Sequence, residues 1–139
     1  MTIINPDELG QPRGWSNGIL APSGGRLLFV AGQTAADANG HVAERGFVSQ
    51  FDQALGKALR VIAAAGGGIE HIGRITTYVT DMEAYRASRP KLSEVWQRHM
   101  GHWYPAMALV EVSRLVDHDA SVEIEMTAVI PDREPGASA

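Results

Sequence analysis

Glu123 stands on a run, Val122 to Ala128, in which apolar residues alternate with Glu123, Glu125 and Thr127. A carboxylate on the polar face of such a strand can orient water or take its proton as the oxygen attacks. By itself the residue reads first as a solvated strand position. If the strand around it pairs as a hairpin with Tyr104–Val112, Glu111 falls nearby, and one of the two like charges then needs a cation or a raised proton affinity. Met107 and Leu109 read either as the wall of a pocket for a neutral or hydrophobic ligand or as packing at an interface between subunits. Trp15 reads either as a ring that stacks on a ligand or as a buried aromatic. Arg13, two residues before it, is a candidate cation, whereas strand parity counted from Met107 places Arg114 on the opposite face.

Other groupings carry less. His99 and His102 are three apart, but Gly101 breaks the helix between them and no third ligand is evident, so no metal site is expected. Gly66-Gly67-Gly68 would cradle phosphate only ahead of a helix, and a strand follows, so it reads as a helix stop. His41, His71 and His118 fall in predicted turns and read as solvated.

The elements that must position these groups follow from periodicity. Residues 5–14 are rich in turn formers and read as an irregular arm. Trp15–Leu20 and Arg26–Gln33 read as strands that make a hairpin, and Asn39-Gly40 marks a second turn. Phe47, Phe51, Ala54, Leu55, Ala58, Leu59 and Ile62 recur at spacings of three and four, with Gln50, Lys57 and other polar residues between them, which predicts an amphipathic helix. Arg74–Thr80 is β-branched and aromatic and reads as a strand, and Asp81 can cap a helical turn after it. Pro90 places the start of the second main helix near Ser88, since proline is tolerated only in a first turn. Tyr104–Val112 and Ser121–Ile130 alternate as strands. The expectation is an α+β, two-layer domain over residues 1–130, a mixed sheet with both helices on one face, and a disordered tail over 131–139. The uncovered face is expected to carry Trp15, Tyr78, Met107 and Leu109, and so to pack against further copies of the chain.

Composition bounds the chemistry. The 139 residues carry 12 Lys and Arg against 16 Asp and Glu, a net charge of −4, and no basic cluster, which argues against general binding to nucleic acid. There is no cysteine, which excludes disulfides, thiolate nucleophiles and Cys-based zinc sites. The first residues lack a basic flank and an apolar stretch, and no apolar run approaches the ~18–20 residues of a membrane helix, so a cytoplasmic protein without membrane contact is expected.

Four segments in order carry a family resemblance: Gly14-Trp15-Ser16-Asn17-Gly18, Val30-Ala31-Gly32-Gln33, Tyr104-Pro105-Ala106-Met107-Ala108-Leu109-Val110-Glu111-Val112 and Val122-Glu123-Ile124-Glu125. With this spacing the chain resembles the Rid family, also called YjgF or reactive intermediate deaminase, up to Ile130. The resemblance implies a chorismate-mutase-like fold, a homotrimer, and small-molecule pockets between subunits. It also implies hydrolysis of imines or enamines without metal or cofactor. Glu123 matches the carboxylate with which relatives position water, and the Gly32 backbone is kept. Several positions depart. Met107 stands where relatives carry the arginine that forks the substrate carboxylate, and a thioether offers no donor. Ala31 replaces a serine, Trp15 a tyrosine, Pro90 an asparagine and Leu109 a cysteine.

These features predict a divergent Rid-like hydrolase of an imine, enamine or related C–N bond, with Glu123 catalytic and Trp15, Ala31, Gly32, Met107 and Leu109 lining the pocket. The missing arginine predicts a substrate less anionic than 2-aminoacrylate. The alternative is a trimer that binds a small molecule or a partner without turnover. A third reading, ribonuclease or inhibition of translation as for some relatives, is opposed by the net charge.

Overall fold

The computed structural model describes residues 1–133, so the expectation for the tail lies outside the described residues from position 134 onward. A short strand β1 (Thr2–Ile4) pairs antiparallel with β2 (Gly18–Leu20) and forms a separate two-stranded sheet. The main sheet contains β3 (Arg26–Gln33), β4 (Ile72–Val79), β5 (Ala106–Glu111) and β6 (Val122–Ile130) in the order β3-β6-β4-β5. β6 runs antiparallel to both of its neighbours, and β4 and β5 run parallel. Helices α1 (Phe47–Ala64) and α3 (Arg89–Met100) cover one face, and a short α2 (Met82–Ala87) precedes α3.

The two-layer α+β expectation therefore holds, with two corrections to the pairing. β2 does not form a hairpin with β3; it pairs with β1, a strand ahead of the arm over residues 5–14 that was not expected from the sequence. β5 and β6 do not form a hairpin either. β5 follows a helix and lies parallel to β4, as a strand–helix–strand crossover requires.

The core lies between the sheet and the helices. Ile75, Val79, Val122, Ile124, Met126 and Ala128 alternate inward and meet Phe51, Ala54, Leu55, Ala58 and Ile62 of α1 with Leu92, Val95 and Met100 of α3. α1 ends as its glycines predict, with Gly66 at φ +87 and its amide on the carbonyl of Ala63. Asp81 caps α2 by accepting from the Ala84 amide at 3.1 Å, and Pro90 sits in the first turn of α3. Gln50, expected on the polar side of α1, is buried instead. Its amide donates to the carbonyls of Glu44 and Asp119 and accepts from the Ser121 amide, tying the loop before β6 to the helix. His71, expected in solvent, is half-buried and accepts at Nδ1 from the Gly68 amide.

The uncovered face of the sheet is apolar, but through other residues than expected. Phe29 is 73% exposed, Leu27 59% and Val110 43%. Tyr78 lies there too, but Met107 and Leu109 do not: they share the register of Ile75 and Thr77 and point toward the helices. No helix among the described residues is long and apolar enough to cross a membrane.

Candidate functional site

Behind β5, on the helical side, lies a cavity of about 440 Å³. Its floor is Met107 and Leu109 with Phe51, Thr77 and Leu92, and its walls include Trp96 and Tyr104. Trp96 and Tyr104 stack with ring centroids 6.0 Å apart and planes 6° from parallel. Trp96 Nε1 donates to the Trp103 carbonyl, and Trp103 Nε1 to the carbonyl of Ile72, so this wall is braced against the core.

The N-terminal arm closes the cavity. Ser16 binds the start of β5 twice: its amide donates to the Pro105 carbonyl at 3.0 Å and its Oγ to the Tyr104 carbonyl at 2.6 Å. Gly14, at φ +90, turns the chain just ahead of that anchor and brings Arg13 and Trp15 to the cavity wall. From the other side comes Arg89, the first residue of α3. No motif marks Arg89; its place in the turn fixed by Pro90 was the only signal, and the β4–β5 pairing was needed to bring it here. Arg114 lies beyond β5 in an exposed loop and does not line the cavity.

Glu123 lies elsewhere. It sits on the uncovered face, opposite Tyr78 of β4, with β4 and β5 as the two remaining strands toward that edge. Ala31 and Gly32 fall where the β3–β6 pairing shifts register, between Val30 and Gln33. The Glu123 side chain lies against Gly32 so closely that a Cβ there would stand 2.7 Å from its Cδ and 2.8 Å from its Oε2. Among the described residues, no hydrogen bond or ion pair engages the Glu123 carboxylate. Burial, and then the nearby charges of Asp117 and Glu125, push its proton affinity up. Those two carboxylates fill the part expected of Glu111, which is occupied in accepting from the Met82 amide at 2.9 Å. Glu125 accepts from the Tyr78 hydroxyl at 2.8 Å, and this bond raises the tyrosine's proton affinity in turn.

The structure thus brings Trp15, Met107 and Leu109 together in one place, and Ala31, Gly32 and Glu123 in another. Within one chain the two groups are on opposite faces of the sheet. The first is a largely apolar cavity with no carboxylate in its lining, and the second is a half-buried carboxylate outside that lining.

The histidine pair is not a third site. His99 Nε2 lies 2.5 Å from Asp52 Oδ1, and Arg98 grips the same carboxylate with two bonds. Among the described residues, no three His, Asp or Glu side chains gather to hold a metal ion.

Residues 9–130 match the family described as endoribonuclease L-PSP. A RutC family protein of Pyrococcus horikoshii is 33% identical over 128 residues, which cover 91% of this chain and 95% of that one. A RutC family protein of Synechocystis is 32% identical over 133 residues, 94% of this chain and 98% of that one. Among solved structures, a Rid family protein from Yersinia pestis superposes with a TM-score of 0.81 at 28% identity, covering 93% of this chain and 98% of its own. The YjgF protein of E. coli superposes with a TM-score of 0.65 at 25% identity, covering 90% and 92%.

Proposed function

The chain belongs to the Rid (YjgF) family, described as endoribonuclease L-PSP, and from that premise we propose that it hydrolyses the C=N bond of a small imine, or of the imine tautomer of an enamine. The reaction takes place where Glu123 and Gly32 of one copy meet the Met107 cavity of the next. The observation that carries this reading is Glu123: a half-buried carboxylate with no partner among the described residues, with raised proton affinity, packed on a glycine backbone. Such a group can both take and return a proton.

The steps balance as follows. Glu123 takes a proton from water while the water oxygen bonds to the imine carbon and the C=N π pair moves to nitrogen. The protonated Glu123 returns that proton to nitrogen. Glu123 then takes the hydroxyl proton of the carbinolamine and delivers it to the amino nitrogen as the C–N pair moves to that nitrogen, the C=O bond forms, and a carbonyl compound and ammonia leave. The Gly32 amide faces the charge that develops on the way. The neighbouring copy is required because Glu123 and the cavity lie on opposite faces of one sheet, and the exposed Phe29, Leu27 and Val110 give the uncovered face reason to associate. A closed homotrimer, as the family resemblance implies, satisfies both.

The test couples an amino-acid oxidase, which generates imines from acidic, aliphatic and aromatic amino acids, to a semicarbazide trap. The protein is expected to accelerate loss of some imines, and Glu123→Gln to lose about 10²–10⁴-fold while the assembly persists. Full activity in Glu123→Gln, or no effect of wild type on any imine, overturns the reading. A second reading, binding without turnover, is favoured by Met107, which has no donor for an anion. Ligand binding by a protein inert to every imine would establish it.

A further inference from the structure

We propose that Arg13 and Arg89 are the anion-binding pair of the cavity behind β5, and that its ligand is a carboxylate bearing a large, flat apolar side chain. The proposal rests on reading that cavity as the substrate pocket and names what the pocket selects.

The charge of the lining points this way. The cavity wall holds two arginines and no aspartate or glutamate, a local charge of +2 in a chain of net charge −4. Among the described residues, neither arginine has a carboxylate partner, whereas Arg86 and Arg98 of the same helical layer are held by Glu83 and Asp52. The two come from separate elements, the arm pinned by Ser16 and the first residue of α3, and are exposed, so both sit at the rim. A guanidinium presents a flat fork of donors suited to a carboxylate.

The rest of the cavity fits the remainder of such a ligand. Below the rim the surface is aromatic and aliphatic, with the Trp96–Tyr104 stack at the side and Met107 and Leu109 at the floor. At about 440 Å³ the space exceeds what a three-carbon acid fills and falls in the range of drug-sized ligands. The flexible thioether of Met107 adapts to a ring pressed on it. The ligand is therefore inverted relative to the arrangement that an arginine at position 107 would impose: the carboxylate is at the rim and the side chain on the floor. This replaces the expectation of a less anionic substrate. The charge requirement has moved from β5 to the arm and α3.

The test is calorimetric binding to the assembled full chain, with phenylpyruvate as the aromatic carboxylate, phenylacetone as its neutral counterpart and pyruvate as the small carboxylate. None contains a C=N bond, so the outcome is independent of hydrolysis. Wild type is expected to bind phenylpyruvate at least about tenfold more tightly than either comparison ligand, with a preference over phenylacetone that shrinks as salt rises. Arg13→Met with Arg89→Met should remove that preference and leave phenylacetone binding unchanged. Should the double variant lose both ligands, the lysine pair Arg13→Lys with Arg89→Lys decides, and must keep the preference. Wild type that ignores the carboxylate, or the ring, or fails to bind phenylpyruvate overturns the proposal. So does a methionine double variant that keeps the preference, or a lysine pair that loses it. An inactive protein that passes this test refutes the proposed reaction alone, and an active one that fails it refutes this assignment alone.

Discussion

Gly32→Ala should cost stability only while Glu123 is present. The Gly32 backbone is outside the left-handed region, so alanine can adopt its conformation, and any penalty comes from contact. The added Cβ would meet Glu123 Cδ at 2.7 Å, Oε2 at 2.8 Å and Cγ at 2.9 Å. Carbon atoms settle at about 3.5–4.0 Å, so the glutamate must retreat by roughly 1 Å. The atoms in the way belong to a side chain that can rotate, which keeps the cost near that of an off-rotamer torsion, about 1 kcal/mol. With a urea m-value of about 1–3 kcal/mol/M, the unfolding midpoint should fall by roughly 0.3–1 M. In a Glu123→Ala background the obstruction is gone. There Gly32→Ala should be neutral, or stabilise by up to about 1 kcal/mol, because alanine restricts the unfolded chain.

The assay is a double-mutant cycle in urea at fixed protein concentration, which holds association constant across the four proteins. A coupling of about 1–2 kcal/mol is expected. Equal effects of Gly32→Ala in both backgrounds would refute the contact, and with it the placement of the carboxylate on which the catalytic reading depends. If the reading is right, Gly32→Ala alone also lowers imine hydrolysis by about 10²-fold, since a displacement near 1 Å is enough to spoil the alignment of base and water.

Glu123 should also shape the pH profile: its folded-state proton affinity is raised above the ordinary 4.5, so its ionisation penalises folding as pH climbs through and above that value. Glu123→Gln should therefore gain stability relative to wild type between pH 4 and pH 7 in thermal melts, and a gap that does not change with pH counts against it. Asp52 has the opposite sign: Arg98 and then His99 hold its proton affinity below 3.8, so its contribution is present above that pH and lost as pH falls. Asp52→Asn should cost up to about 1 kcal/mol at pH 7 and less at pH 3, checked by urea unfolding. Gln50→Ala removes the three hydrogen bonds that hold the loop before β6 and should cost about 3 kcal/mol, with faster hydrogen exchange at the Ser121 amide as the specific signature. Phe29→Glu places a charge on the uncovered face and should yield monomers by sedimentation; an unchanged assembly would remove that face from the interface.

The sequence disclosed the elements better than their partners. α1 could be read from Phe51, Leu55, Ala58 and Ile62 because one buried stripe leaves a 3.6-residue period. Pro90 and Asp81 marked helix starts because each has a local steric or hydrogen-bonding reason to be there. β1 had no such mark: all three of its residues are exposed, so no alternation records a buried side. Strand pairing was illegible for a related reason. The alternation in Tyr104–Val112 showed that Met107 and Leu109 share a face, but not which face, because that depends on a register with β4 more than twenty residues away.

That ambiguity decided how the site was read. Motif resemblance put Glu123 and Met107 in one pocket, and each residue is where its own strand's alternation demands. Yet Met107 follows the register of Ile75, on the side of the helices, while Glu123 follows Tyr78, on the bare side. A pattern within a strand fixes relative parity only inside that strand, and two strands can place their marked residues back to back without disturbing either pattern. Read onto a single chain, the motif joins residues that this chain holds on opposite faces of its sheet. The same argument explains why Arg89 escaped notice: its place at the cavity comes neither from a motif nor from periodicity, but from the edge position of β5, beside which the start of α3 and the Ser16-anchored arm both reach the cavity wall.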